Sequence, residues 1–173
     1  RIVHQAQSSV LVVKGDRPDI SRVLICVSGA EQGRGAVRLG ALVACGARAQ
    51  TTLLHVVDPM PSMYVGLEQM EETLAELLQS DTELARELKR ATQTVRDQCS
   101  EPELKLRRGI AAEEILLEAQ EGKHDLIVLG SPESASGLVR ALMGDLAREV
   151  VVQAQRPVLV VAPDVQRDGP SIP

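Results

Sequence analysis

From Ser21 onward, apolar runs of strand length alternate with stretches whose apolar residues recur at helical spacing. Arg22–Val27 is a continuous apolar run, as expected of a strand buried on both faces. Gly33–Ala47 has helical spacing, with Ala36, Leu39, Val43 and Ala47 on one face. Thr51–Val57 is the second strand, closed by Asp58-Pro59. After an irregular loop over Met60–Gly66, Leu67–Cys99 is helical, with a kink or restart where Ser80-Asp81-Thr82-Glu83 matches a capping box. Leu84, Leu88, Ala91 and Val95 form its later stripe. Leu104–Arg107 is a short strand, Ala112–Glu121 a helix and Asp125–Gly130 a strand. A helix near 144–154 and a strand over Val158–Ala162 end the series.

Five strands alternating with four helices predict an α/β three-layer sandwich. Its five-stranded parallel sheet, of order 3-2-1-4-5, carries helices on both faces through right-handed crossovers. Ligands in such sheets bind beyond the carboxyl ends of the strands, at the switch point. Here that point lies between the first and fourth strands, placing Ser28-Gly29 beside Gly130-Ser131.

The start of the chain repeats its end. Ile2–Asp16 matches Val150–Asp164, sharing Val-x-Gln-Ala-Gln and then Val-Leu-Val-Val at the same spacing. A helix end plus one strand cannot bury its own apolar face, so the segment is expected to be the tail of a preceding module of the same type. An added edge strand peculiar to this chain is the alternative.

Composition narrows the function classes. Tyr64 is the sole aromatic residue, which weighs against a stacking surface for single-stranded nucleic acid. A formal charge of −5 weighs against any phosphate-backbone partner. The three cysteines, Cys26, Cys45 and Cys99, are widely spaced and form no CxxC or Cys/His cluster, so they are expected to be reduced core or near-core residues. No apolar stretch approaches the roughly 20 residues of a membrane span, and direct membrane insertion of this segment is not expected. No paired carboxylates, triad or metal cluster stands out, so the chain reads as no enzyme and no metal site is expected. His55, near the end of the second strand, reads as a satisfied sheet histidine and His124 as a surface residue. Glu83, Arg86, Glu87, Lys89 and Arg90 read as a solvated helix face.

The candidate chemistry lies after Asp125. A strand, a glycine-punctuated loop (Gly130, Gly137, Gly144) and a helix start make a recipe for holding phosphate, because free amide groups and the helix dipole point outward there. At this point RVLICVSGAE, TTLLHVVDP, GIAAEEILLEAQEGKHDLIVLGS and the closing RPVLVV resemble the universal stress protein family over Ser21–Ala162. The resemblance implies a five-stranded α/β sandwich that often dimerises through its last strands, with regulatory or stress-survival roles. Some members bind ATP or AMP and others bind no nucleotide. It divides the chain into residues 1–15 (last strand of a preceding universal-stress-type module), 16–20 (linker), 21–163 (the domain) and 164–173 (flexible tail). Val10, Leu11, Val12 and Val13 are then expected to lie antiparallel to Val158, Leu159, Val160 and Val161, as tandem-module pairing or self-association.

By resemblance, the nucleotide-site candidates are Ser28, Gly29, Val57, Gly130, Ser131, Gly137, Arg140, Gly144 and Asp145. The family's Val-Asp-Gly after the first strand has Ser28 in place of its Asp. Its phosphate loop, Gly-x-x-Gly, nine residues, then Gly-Ser or Gly-Thr, is matched by Gly130 and Gly144. The second glycine falls on Glu133 or Ser134, the loop is one residue longer, and Asp145 replaces the hydroxyl. A carboxylate at a helix start takes up the amide groups itself and repels an anion by about 1 kcal/mol or more. Arg140 is the nearby compensating cation. The expected function is therefore a non-catalytic, cytoplasmic stress-response regulatory or interaction domain with a degenerate nucleotide site, no cofactor and an unknown protein partner. Two alternatives stay open: an adenine-nucleotide sensor taking AMP or ATP, with or without magnesium, and a cytoplasmic regulatory domain of a membrane transporter.

Overall fold

The strands alternate apolar side chains between two faces, and each face needs its own cover of helices. The computed structural model describes residues 8–15, 19–28, 33–57, 74–131 and 146–162. In chain order these form β1 (Val10–Val12), β2 (Arg22–Cys26), α1 (Arg34–Ala47), β3 (Gln50–Val57), α2 (Leu74–Gln79), α3 (Glu83–Gln98), β4 (Glu103–Arg108), α4 (Ala111–Glu121), β5 (Leu126–Gly130), α5 (residues 146–153) and β6 (Val158–Val161). The six-stranded sheet runs β1-β6-β5-β2-β3-β4. All neighbours are parallel except β1, which lies antiparallel to β6 with Leu11 opposite Leu159. The domain thus has the expected order, with the expected extra strand on its β6 edge. Val13 lies past the ladder, 70% exposed.

Val23, Ile25, Leu53, Leu126 and Val128 pack with Ala36, Val37, Ala41 and Ala44 of α1 and Leu88, Ala91 and Val95 of α3. Leu24, Leu54, Ile127, Val158 and Val160 face Ala112, Ile115 and Ala119 of α4 and Val150 of α5. Burying each large side chain contributes about 1.5–3 kcal/mol. On α1 the buried stripe is Ala36, Val37, Gly40, Ala41 and Ala44, whereas Ala47 is exposed and Leu39 and Val43 are only half-buried. Small residues turn inward because the helix lies very close to β2.

The restart between α2 and α3 is observed with a different cap. Thr82 Oγ1 accepts from the Ala85 amide at 3.2 Å, while Ser80 Oγ donates to the Leu77 carbonyl at 2.7 Å and closes α2. At the other end of the chain, Lys14 Nζ donates to the carbonyls of Val151, Val152 and Ala154. A cation there satisfies orphan carbonyls at the carboxyl end of α5 and complements its dipole. The Ser9 hydroxyl accepts from the Ala162 amide at 3.1 Å, completing the attachment of the N-terminal strand.

Two residues read as solvated from sequence are buried. His124 is 2% exposed, with Nε2 3.0 Å from Thr52 Oγ1 and Nδ1 3.2 Å from the Glu118 carbonyl. Burial holds its imidazole below the ordinary histidine value, keeping it neutral. Glu87 is 6% exposed and is held between two arginines. Among the cysteines, Cys26 and Cys99 are half-buried, but Cys45 is exposed, in the last turn of α1, where residues 45–48 are all exposed.

A Cβ added at Gly40 would fall 2.8 Å and 2.9 Å from Ile25 Cδ1 and Cγ1, and 3.3 Å from Val128 Cγ1. Gly40→Ala should gain about 1 kcal/mol of helix propensity and lose more to overpacking, typically 1–3 kcal/mol. The expected result in urea unfolding is a net loss of about 1 kcal/mol; a stabilised variant would contradict this close approach.

Candidate functional site

The switch point is where the two halves of the parallel sheet diverge, and here it falls between β2 and β5. Their register, Val23 with Leu126 through Ile25 with Val128, carries both strand ends to one mouth. A Cβ on Gly130 would stand 3.6 Å from Ala36 Cβ and 3.9 Å from Gly33 Cα, so the end of β5 touches the start of α1. Gly33 is itself pressed on Ser28: a Cβ there would lie 2.7 Å from Ser28 Oγ. A side chain at position 33 would require the Ser28 hydroxyl to turn aside. Gly33 is also the N-cap of α1 and supplies no side-chain cap. The amide groups of that first turn thus have no side-chain cap from the N-cap residue.

Of the sequence candidates, Ser28, Gly130, Ser131 and Val57 are described. Ser28 is exposed at the mouth. The Ser131 amide donates to the Val161 carbonyl at 2.7 Å, extending the β5–β6 ladder by one bond. The Val57 carbonyl accepts from the Gly109 amide at 3.1 Å, which places Val57 at the junction of β4 with the loop before α4 rather than beside Gly130. Gly29, Gly137, Arg140, Gly144 and Asp145 lie outside the described residues, as does Glu133.

Three mouth residues escaped the sequence reading as site members. Gly33 is one. His55 is the second: its Nδ1 donates to the Val27 carbonyl at 2.7 Å, fixing the backbone that presents Ser28. It is, as expected, a satisfied sheet histidine, and its partner gives it a positioning part. Arg34, the first residue of α1, is the third. Its guanidinium donates to both oxygens of Glu87, at 3.1 Å and 2.7 Å, and Arg90 donates to the same carboxylate at 2.7 Å. These hydrogen bonds, that from Arg34 first, hold Glu87 below the ordinary carboxylate range despite its burial. Arg34, at the start of α1, is therefore engaged with the protein's own carboxylate.

The opposite edge of the sheet carries a cavity of about 210 Å³, lined by Arg22, Thr51, Thr52, Glu103, Lys105 and His124 among others. Its polar lining is largely paired internally. Lys105 Nζ lies 2.8 Å from Glu118 and 3.5 Å from Glu103, and His124 is bonded to Thr52. The cavity sits at the strand starts, away from the switch point, so the mouth is the better candidate. Among the described residues no cluster of three or more His, Cys, Asp or Glu side chains could hold a metal ion. No described helix is long and apolar enough to cross a membrane.

A doubly wound sheet whose switch point is edged by two glycines and a helix amino terminus defines an α/β sandwich domain with its mouth at the carboxyl ends of the central strands. The family model of the universal stress proteins matches residues 20–162. The chain belongs to the universal stress protein family. It is 33% identical over 113 residues to universal stress protein MJ0531 of Methanocaldococcus jannaschii, the match covering 65% of each chain. A universal stress protein from Archaeoglobus fulgidus solved in complex with dAMP is 18% identical, covers 82% of this chain and 97% of its own, and superposes with a TM-score of 0.56. A second structure, from Archaeoglobus fulgidus DSM 4304, is 17% identical with a TM-score of 0.64; it covers 94% of this chain, which spans only 52% of it.

The Glu87 pairing has a pH signature. Its folded value is depressed, so its stabilisation is fully present above the unfolded carboxylate value of 4.5 and is lost as pH falls through and below that value. Glu87→Gln should cost about 1.5–3 kcal/mol at pH 7, the range for hydrogen bonds to charged groups. The gap between wild type and variant in urea unfolding should narrow toward pH 3. A gap independent of pH would show that the ion pair is not its source.

Proposed function

We propose that this chain is a non-catalytic regulatory or interaction domain of the universal stress type whose nucleotide site has degenerated. One observation carries the reading: the mouth offers a neutral Ser28 where nucleotide-binding relatives are expected to place a carboxylate, and Arg34 beside it is turned back onto Glu87. A nucleoside thus loses a charged acceptor, and Arg34 is drawn away from a phosphate, leaving Arg140 as the compensating cation in the loop sequence. The phosphate loop in sequence adds Glu133 and Asp145, both of the wrong sign for an anion. Each carboxylate within a few ångströms of a phosphate would cost about 1–4 kcal/mol, depending on the local dielectric. With the phosphate seat weakened, the domain acts through a protein partner, in the cytoplasm.

A second reading, adenine-nucleotide sensing, is favoured by one feature. The first turn of α1, without a side-chain cap from Gly33, opens at the mouth and attracts anions. The dAMP complex of the Archaeoglobus fulgidus relative makes an adenylate the ligand to try. AMP would suffer less than ATP from Asp145, because its phosphate chain is shorter.

The tandem reading of residues 1–15 has support of its own. The β1–β6 ladder, the Lys14 cap and the Ser9 bond tie the N-terminal segment to the domain edge as a neighbouring module's last strand would be tied. The likeness to the Archaeoglobus fulgidus DSM 4304 protein, which is about twice as long, extends over more of this chain than the likeness to the shorter dAMP-bound one.

Calorimetric titration with AMP and with Mg–ATP tests the proposal. Wild type is expected to give no saturable heat at micromolar ligand. The variant Glu133→Gly with Asp145→Ser should bind at least tenfold more tightly, which corresponds to about 1.4 kcal/mol or more. Micromolar binding by wild type would overturn the degenerate-site reading. An unchanged double variant would contradict the assignment of the block to charge.

A further inference from the structure

The crossover connections bring two cysteines together at the edge of the sheet opposite the mouth. β2, β3 and β4 are parallel, so α1 and α3, which return the chain to the starts of β3 and β4, run back in the same direction on the same face. Their carboxyl ends therefore finish at one edge, side by side. Cys45 lies in the last turn of α1, shortly before Gln50 opens β3; Cys99 is the C-cap of α3, shortly before Glu103 opens β4. β3 and β4 are neighbours with Thr52 opposite Glu103, which sets the two cysteines at similar height. The residues just inside them, Ala44 and Val95, are packed in one core cluster. The Cys99 side chain holds the Cys45 thiol above its ordinary value, as expected of neighbours at these two helix ends. Cys45 is exposed and Cys99 half-buried, so an oxidant reaches the pair from solvent. Cys99 ends its helix with φ −140° and ψ −89°, outside helical geometry, so a small shift of its sulfur does not break a helical turn.

We propose that Cys45 and Cys99 form a reversible, peroxide-responsive disulfide that staples α1 to α3 at the strand-start edge. The oxidant is a hydroperoxide. One thiolate attacks a peroxide oxygen, an S–O bond forms as the O–O bond breaks, and the departing hydroxide takes a proton to leave as water. The second thiolate attacks the sulfenic sulfur, an S–S bond forms as the S–O bond breaks, and a second water leaves. Two thiols and one hydrogen peroxide yield one disulfide and two waters; sulfur is oxidised by two electrons in total and the peroxide oxygens are reduced by two. Because the thiolate is the nucleophile, and Cys99 raises the Cys45 thiol, the reaction quickens as pH rises from 7 toward 9. Cys26 takes no part: burial raises its thiol strongly and leaves little thiolate. A thiol reductant reverses the bond.

The test is mass spectrometry of the full chain, reduced, desalted, exposed to hydrogen peroxide and then alkylated under denaturing conditions. The expected product is a monomer carrying a single alkyl group, at Cys26, and weighing about 2 Da less than the reduced chain plus that group, with a Cys45–Cys99 linked peptide and recovery of both thiols with dithiothreitol. Cys45→Ser and Cys99→Ser should each abolish the loss, and Cys26→Ser should preserve it. The oxidised wild type should melt roughly 5–10 °C higher, since the bond closes a long loop. Separate alkylation or sulfinic acid formation at Cys45 and Cys99, or a linkage through Cys26, would overturn the pairing. A melting midpoint that does not rise would overturn the stapling role.

Discussion

The pairing of β2 with β5 is the constraint on which the rest of this domain depends. These are the two central strands, and their neighbours on either side take register from them. Their starts are clasped by Asp125, whose carboxylate accepts from the Ser21 and Arg22 amides at 2.9 Å and 3.0 Å. Charge-assisted bonds of this kind fix where one strand begins relative to the other. Once that offset is set, Gly130 must arrive beside Gly33 and Ala36. A shift of one residue would also turn every inward side chain of β5 to the opposite face. The site is thus a consequence of register established at the far end of the same two strands.

The two edges of the sheet solve different problems. β4 is an outer strand, and its Leu104 and Leu106 pack toward α1 and α3 while Lys105 and Arg107 face α4. There Glu114, Glu118 and Glu121 meet them, so a row of charge takes the place of an apolar seam. At the other edge β6 would present a bare ladder, and β1 covers it. An uncovered edge invites pairing with another chain. Here the cover comes from the same chain, and it leaves the apolar side chains of Leu11 and Val13 outermost.

Most of the architecture was legible in the sequence because β2, β5 and β6 are buried on both faces and read as unbroken apolar runs. The glycines that end β5 and open α1 were legible as punctuation. What the sequence hid were partners far along the chain. Glu87 resembled its charged neighbours, yet it lies between Leu84 and Ala91 on the inward stripe, and the arginine that neutralises it is 53 positions away. His124 looks like a loop residue because Thr52, whose hydroxyl donates to its Nε2 in the core, is 72 positions away. The cysteines are widely spaced in sequence, and only the shared direction of α1 and α3 joins Cys45 to Cys99. The buried face of α1 is rotated from the one its apolar spacing suggests, because Gly40 facing Ile25 favours small residues over the larger Leu39 and Val43.

On the proposed reading, the mouth is a ligand site with altered electrostatics. The backbone supplies a glycine-edged opening and a helix amino terminus, whereas the side chains supply a neutral serine, a committed arginine and, in the loop sequence, two carboxylates. Native mass spectrometry of the protein as purified from cells is the most direct test of this account. The result it predicts is the mass of the bare chain, with no adenylate carried through purification and none retained from added AMP or Mg–ATP at micromolar concentration. A stoichiometric adenylate adduct would contradict it and make this domain a nucleotide sensor.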